Sequence, residues 1–118
     1  MGNNGVVGLF SRRRRKTDNH EALIDAALVA HLAEFVATRR GVEAFIELPT
    51  TMTKATLLLI AHDGEWTRRS VESVEWARAF AADHNLPAYD AGVVGYPQRM
   101  RDYNARQKAS APRPKPTR

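Results

Sequence analysis

The sequence predicts an α+β domain, and three observations carry that reading. A helical apolar stripe follows Asp18. An alternating run is joined to two further strand-like runs, the second junction being Asp63-Gly64. Net charge is segregated by region. The expected order is α-β-β-β-α-β-α in two layers, with an antiparallel three-stranded meander. A single folded body over residues 18–107 is expected between disordered basic termini, 1–17 and 108–118.

Asp18 with Glu21 three residues later forms a capping-box-like helix start. Ile24, Leu28, Leu32 and Phe35 then recur at helical spacing, with Val29 and Val36 widening the stripe. Arg39 and Arg40 sit where the helix dipole favours cations, and Gly41 supplies a stop, so a helix is expected over about 20–39. From Val42 to Leu48 apolar and polar residues alternate, the pattern of a strand with one buried face. A loop through Lys54 leads to a second strand, about Ala55 to His62. Asp63-Gly64 reads as a two-residue type I′ turn into a third strand, Glu65 to Val71.

That turn fixes a register in which His62 faces Glu65 and Ala61 faces Trp66. Pairing Leu48 with Ala55 puts Ile46 opposite Leu57 and Ala44 opposite Leu59. One face is then apolar and includes Trp66. The other is mixed, with a Phe45–Leu58–Ile60 cluster that calls for a second layer or a partner to cover it. Ser73 can cap a second helix, about Val74 to His84, which Asn85 and Pro87 end. A short strand Ala88-Tyr89-Asp90, extended by Val93-Val94, comes next. Pro97 suits the first position of a last helix running to about Gln107.

Counting Lys and Arg against Asp and Glu, residues 1–20 carry five against one, residues 97–118 seven against one, and the stretch between six against eleven. An acidic body between cationic arms follows. There is no cysteine, which removes disulfides, thiolate chemistry and Cys-based metal sites, and fits a reducing, cytoplasmic setting. The longest apolar run, Leu57 to Ala61, is far short of the ~20 residues a membrane-spanning helix needs.

No catalytic, metal-binding or cofactor-binding signature is found. The α-β-β-β-α order matches a double-stranded-RNA-binding domain, but the second helix starts Ser73-Val74-Glu75-Trp76, where such domains clamp phosphate with lysines. The same order extended by a strand resembles the core of PD-(D/E)xK-type nucleases, yet the second strand lacks an acid and the third a lysine. His62-Asp63 is explained by the turn, and His20, His31 and His84 lack ligand spacing. Gly92-Val93-Val94-Gly95 has no dinucleotide fingerprint around it. The residues suited to an anionic partner are Arg12, Arg13, Arg14, Arg15 and Lys16 in the first arm, with Arg99, Arg101, Tyr103 and Arg106 on the last helix. There the arginines could meet phosphates while the tyrosine stacks a base.

Gly41-Val42-Glu43-Ala44-Phe45-Ile46-Glu47, Asp63-Gly64-Glu65-Trp66-Thr67-Arg68-Arg69 and the stretch from Gly95 to Asn104 resemble a small uncharacterised actinobacterial family. The resemblance spans roughly residues 33–106 and implies a small α+β protein. Some members carry an automatic "oxidoreductase" label, and no cofactor-binding residue is carried over from them. The reading that best fits the residues is a non-enzymatic binding module for an anionic partner, RNA or a nucleoprotein. The alternatives are a small-molecule enzyme and a protein–protein adaptor using the mixed sheet face. A homodimer is also considered, and contact with a membrane surface is disfavoured.

Overall fold

A computed structural model describes residues 15–110, with side chains from residue 23 onward. Its elements are α1 (Arg15–Thr38), β1 (Glu43–Glu47), β2 (Thr56–Ile60), β3 (Trp66–Ser70), α2 (Val74–Asp83), β4 (Ala88–Asp90), α3 (Ala91–Val94) and α4 (Gln98–Ser110). The chain divides into two compact units, residues 1–32 and residues 33–118.

The first unit contains most of α1. The helix starts at Arg15, five residues before the expected position, and takes in residues 15–17 that the sequence placed in the arm. No proline or glycine interrupts residues 15–38, so nothing in the backbone stops it sooner. Its apolar stripe is only partly buried: Leu32 is fully buried, whereas Ile24 and Val29 are exposed.

The second unit is built on a four-stranded sheet in the order β3-β2-β1-β4. β1 and β2 pair antiparallel with Ile46 opposite Leu57 and Ala44 opposite Leu59, as the alternation predicts. β4 adds to β1 in parallel. The expected α+β class, element order and meander are all present.

The β2–β3 register differs from expectation by one residue. Ile60 faces Trp66 and Leu58 faces Arg68, because Ala61 N donates to Glu65 O at 2.7 Å and the connection holds three residues, His62-Asp63-Gly64. Gly64 has φ +93°, and Asp63 Oδ1 accepts from Glu65 N at 2.9 Å. A left-handed glycine ending a three-residue hairpin loop is the standard alternative to the two-residue turn. One residue of slip turns a strand over. Trp66 therefore lies on the Phe45 face, opposite to its expected place.

Both faces of the sheet are covered. Ala44, Ile46, Leu57 and Leu59 are buried on one, and α2 packs on β1 and β2 with Ala77, Phe80 and Ala81 buried. Ser73 caps α2, accepting from Trp76 N at 3.0 Å. Asn85 (φ 56°) closes it, with Leu86 N on Ala81 O and Asn85 N on Ala82 O, a Schellman arrangement. On the other face Phe45, Leu58, Ile60 and Ala91 form a cluster covered by Trp66, Tyr96 and Met100. Part of the mixed face is thus covered from within the chain, by Tyr96 and Met100 of the C-terminal segment beside Trp66 of β3.

Two smaller corrections concern that segment. Val93-Val94 does not extend β4: Asp90 accepts from Gly92 N at 2.8 Å and starts a helical turn instead. α4 runs to Ser110, three residues past the expected end, since the first proline in its path is Pro112.

Candidate functional site

β1 places Glu43, Phe45 and Glu47 on the face that the α3–α4 segment covers, because alternate residues of a strand share a face. Each glutamate meets one arginine and one tyrosine. Arg99 Nη2 lies 2.5 Å from Glu43 Oε1, and Tyr89 Oη donates to Glu43 Oε2 at 3.3 Å. Tyr96 Oη donates to Glu47 Oε2, while Arg68 reaches Glu47 Oε1 through Nη2 at 2.7 Å and Nε at 3.2 Å. Between the two carboxylates the Phe45 ring meets Tyr89, with centroids 5.2 Å apart.

Burial works against the charge on Glu47, but the Tyr96 and Arg68 donors and the Arg68 charge outweigh it and hold the carboxyl below its ordinary range. The same hydrogen bond, reinforced by burial, raises the Tyr96 phenol. Arg68 is raised chiefly by its bond to Glu47. Each acid in this constellation is hydrogen-bonded by an arginine and a tyrosine, an arrangement that fastens β1 to the C-terminal segment and to β3.

α4 is fixed on the hairpin at Arg99, Asn104 and Arg106. Arg99 Nε donates to Ala61 O at 3.0 Å, Trp66 Nε1 to Asn104 Oδ1 at 2.7 Å, and Arg106 Nη2 to Asp63 O at 2.8 Å. Gly64 is buried against this helix: a Cβ there would stand 1.9 Å from Arg99 O and 2.8 Å from Tyr103 Cβ. Only glycine permits that approach.

The sequence-predicted anion-contact residues separate into distinct fates. Arg12, Arg13 and Arg14 lie outside the described residues, and Arg15 and Lys16 form the first turn of α1. Arg99, expected at an anion, is committed to Glu43 and Ala61. Tyr103 is half-buried beside Gly64, with the Arg106 guanidinium 5.8 Å from its ring centroid. Arg101 is exposed and its hydrogen bond goes to the neutral Gln98 side chain at 2.9 Å. Arg106 and Lys108 are exposed, and the Arg106 guanidinium meets only uncharged groups, the Asp63 carbonyl and the Tyr103 ring. Among the described residues no carboxylate pairs with Arg101, Arg106 or Lys108.

Glu43, Glu47, Tyr89 and Tyr96 were missed as a group by the sequence reading. The signal available was an aromatic between two acids in Glu43-Ala44-Phe45-Ile46-Glu47. Three sequence-distant stretches, 41–47, 63–69 and 95–104, meet in this one constellation, through Glu43–Arg99, Glu47–Arg68, Glu47–Tyr96 and Trp66–Asn104.

Two shallow clefts lie in the second unit. One of about 200 Å³ is lined by Glu43, Phe45, Tyr89, Val94, Pro97 and Arg99, and one of about 310 Å³ by Arg39, Arg40, His62, Asp63 and Glu65. Both are at or below the small end for organic-ligand sites. In the larger, Arg39 is tied to Glu65 at 2.7 Å. No group of His, Asp and Glu among the described residues has the disposition of a metal site, and no helix among them is long and apolar enough to cross a membrane. No family model matches the chain, and neither a curated protein nor a solved structure is similar to it.

Proposed function

We propose that this protein is a non-enzymatic module that binds single-stranded RNA, using the outer surface of α4 together with the basic tail that follows it. The observation that supports this is the division of labour along α4. One side of it spends Arg99 and Asn104 on the body, while Arg101 and Lys108 face solvent without a carboxylate and the exposed Arg106 meets only the uncharged Asp63 carbonyl and Tyr103 ring. Arg101 and Lys108 are seven residues apart and share one helix face. Arg113, Lys115 and Arg118 continue the run of positive charge in the sequence. A series of cations of this length suits a flexible phosphate backbone, whose binding draws on counterion release. Tyr103 can stack only at its exposed edge, so sequence preference is expected to be slight.

The test is fluorescence anisotropy with a labelled oligouridylate over a salt series. About six phosphate contacts on a single strand give a log–log slope near −4. Replacing Arg101 and Lys108 with Glu should lower affinity across all sequences and flatten the slope by about 1.4. Absence of binding at low salt, or an unchanged slope in the double variant, refutes the reading.

A further inference from the structure

Residues 22–30 of α1 read Ala-Leu-Ile-Asp-Ala-Ala-Leu-Val-Ala, with Asp25 the one charged residue. Leu23 is 71% exposed, Ile24 53% and Val29 39%, and Ala27 and Ala30 are exposed as well. Isolated surface leucines need no explanation, but this is a contiguous apolar length of helix, the kind ordinarily found covered. At about 100° per residue, Leu23, Ala27 and Ala30 form one stripe with Ile24 on its border, and Asp25 lies on the far side.

That stripe tapers from large side chains at Leu23 and Ile24 to methyl groups at Ala27 and Ala30. We infer that it is a self-association surface, on which α1 of a second copy packs antiparallel. Antiparallel pairing about a two-fold axis near residues 26 and 27 sets Leu23 of each copy over Ala30 of the other, so bulk meets hollow on both sides of the axis. A two-fold interface needs only such a self-complementary patch. Parallel pairing sets leucine on leucine and leaves a gap at the alanines.

Charge selects the same partner and orientation. A parallel pair brings Arg15 and Lys16 of the two copies side by side at the helix starts. The antiparallel pair holds them about 36 Å apart, the length of a 24-residue helix, against a screening length of about 8 Å in physiological salt. A bilayer surface fits less well, because interfacial helices set cations along the side opposite the apolar stripe. Here the only charged residue between Ala22 and Ala30 is an aspartate.

The experiment is sedimentation equilibrium on the full chain across a wide concentration range. The mass is expected to rise from 13.2 kDa towards twice that value. Leu23→Glu should remain monomeric at concentrations at least about a hundredfold higher, with an unchanged circular dichroism spectrum, since the side chain is mostly exposed in one copy. The chain has no cysteine, so single introduced thiols report orientation. Oxidised Ala27→Cys should cross-link between copies and Thr17→Cys should not. A chain that stays monomeric throughout, including one that instead binds anionic phosphatidylserine vesicles, overturns the inference. Dimerisation of Leu23→Glu at the wild-type concentration, or cross-linking at residue 17, does so equally.

Discussion

Replacing Gly64 with Ala tests whether the last helix is part of the fold. Two costs arise. A φ of +93° disfavours any side chain by about 1–2 kcal/mol. The new Cβ also meets Arg99 O at 1.9 Å and Arg99 C at 2.6 Å. Those atoms are backbone, so α4 itself must move, and overpacking of that kind costs about 1–3 kcal/mol. Together they reach about 2–5 kcal/mol, a large part of the roughly 4–12 kcal/mol expected of a unit of this size. Gly41 is the control. Its φ is +62°, and a Cβ there stands 3.1 Å from Cβ of the exposed His62, which can give way. Gly41→Ala should therefore cost only about 1–2 kcal/mol. Urea denaturation followed by circular dichroism measures both, and Trp66 emission reports locally on α4 through its bond to Asn104. If the two variants agree within about 0.5 kcal/mol, the close packing of α4 on the hairpin is wrong.

Further outcomes follow from the Glu43–Glu47 constellation. Tyr96→Phe removes a donor to a charged acceptor and should cost about 1–2 kcal/mol, less than a fully buried bond because the Glu47 side chain is 23% exposed. A double-mutant cycle with Glu47→Gln should show coupling near 1 kcal/mol, and strict additivity would contradict the contact. The pH dependence has a definite sign at each end. Glu47 is depressed when folded, so its contribution is complete above the ordinary carboxylate value of 4.5 and lost as pH falls through the folded value. Tyr96 is raised, so its contribution is complete below 10.0 and lost as pH rises through the folded value. Denaturant midpoints should fall at both extremes, and the alkaline decline should shrink in Tyr96→Phe. Asn104→Leu should cost about 0.5–1.5 kcal/mol and shift Trp66 emission, by leaving the indole N–H without its partner.

Local chemistry made much of the sheet unit legible. Alternation in Val42 to Leu48 and the apolar second strand gave the β1–β2 register to the residue, and Ser73, Asn85 and Pro87 bounded α2. The hairpin went wrong by one residue because Asp-Gly serves a two-residue turn and the end of a three-residue loop equally well. That slip misplaced Trp66, and with it the means of seeing that α4 covers the Phe45 face. Val93-Val94 looked like a strand because β-branched residues favour one, yet Asp90 caps the preceding turn and makes it helical. The site was harder to read. Glu43 and Arg99 are 56 residues apart and Glu47 and Tyr96 are 49 apart, so no local pattern joins them. Arg99 looked the same in sequence as Arg101, and only the fold shows one held inward and the other left to solvent.

Hydrogen exchange along α4, with and without oligouridylate at low salt, tests the account most directly. Without RNA, amides through residue 104 should be protected to a degree approaching the strands, and those over 105–110 should exchange readily. Adding RNA should slow exchange over 105–110 and leave the first half unchanged. Rapid exchange along the whole helix, or no response to RNA in its second half, would contradict the claim that one side of α4 holds the sheet while its exposed cations reach for phosphate.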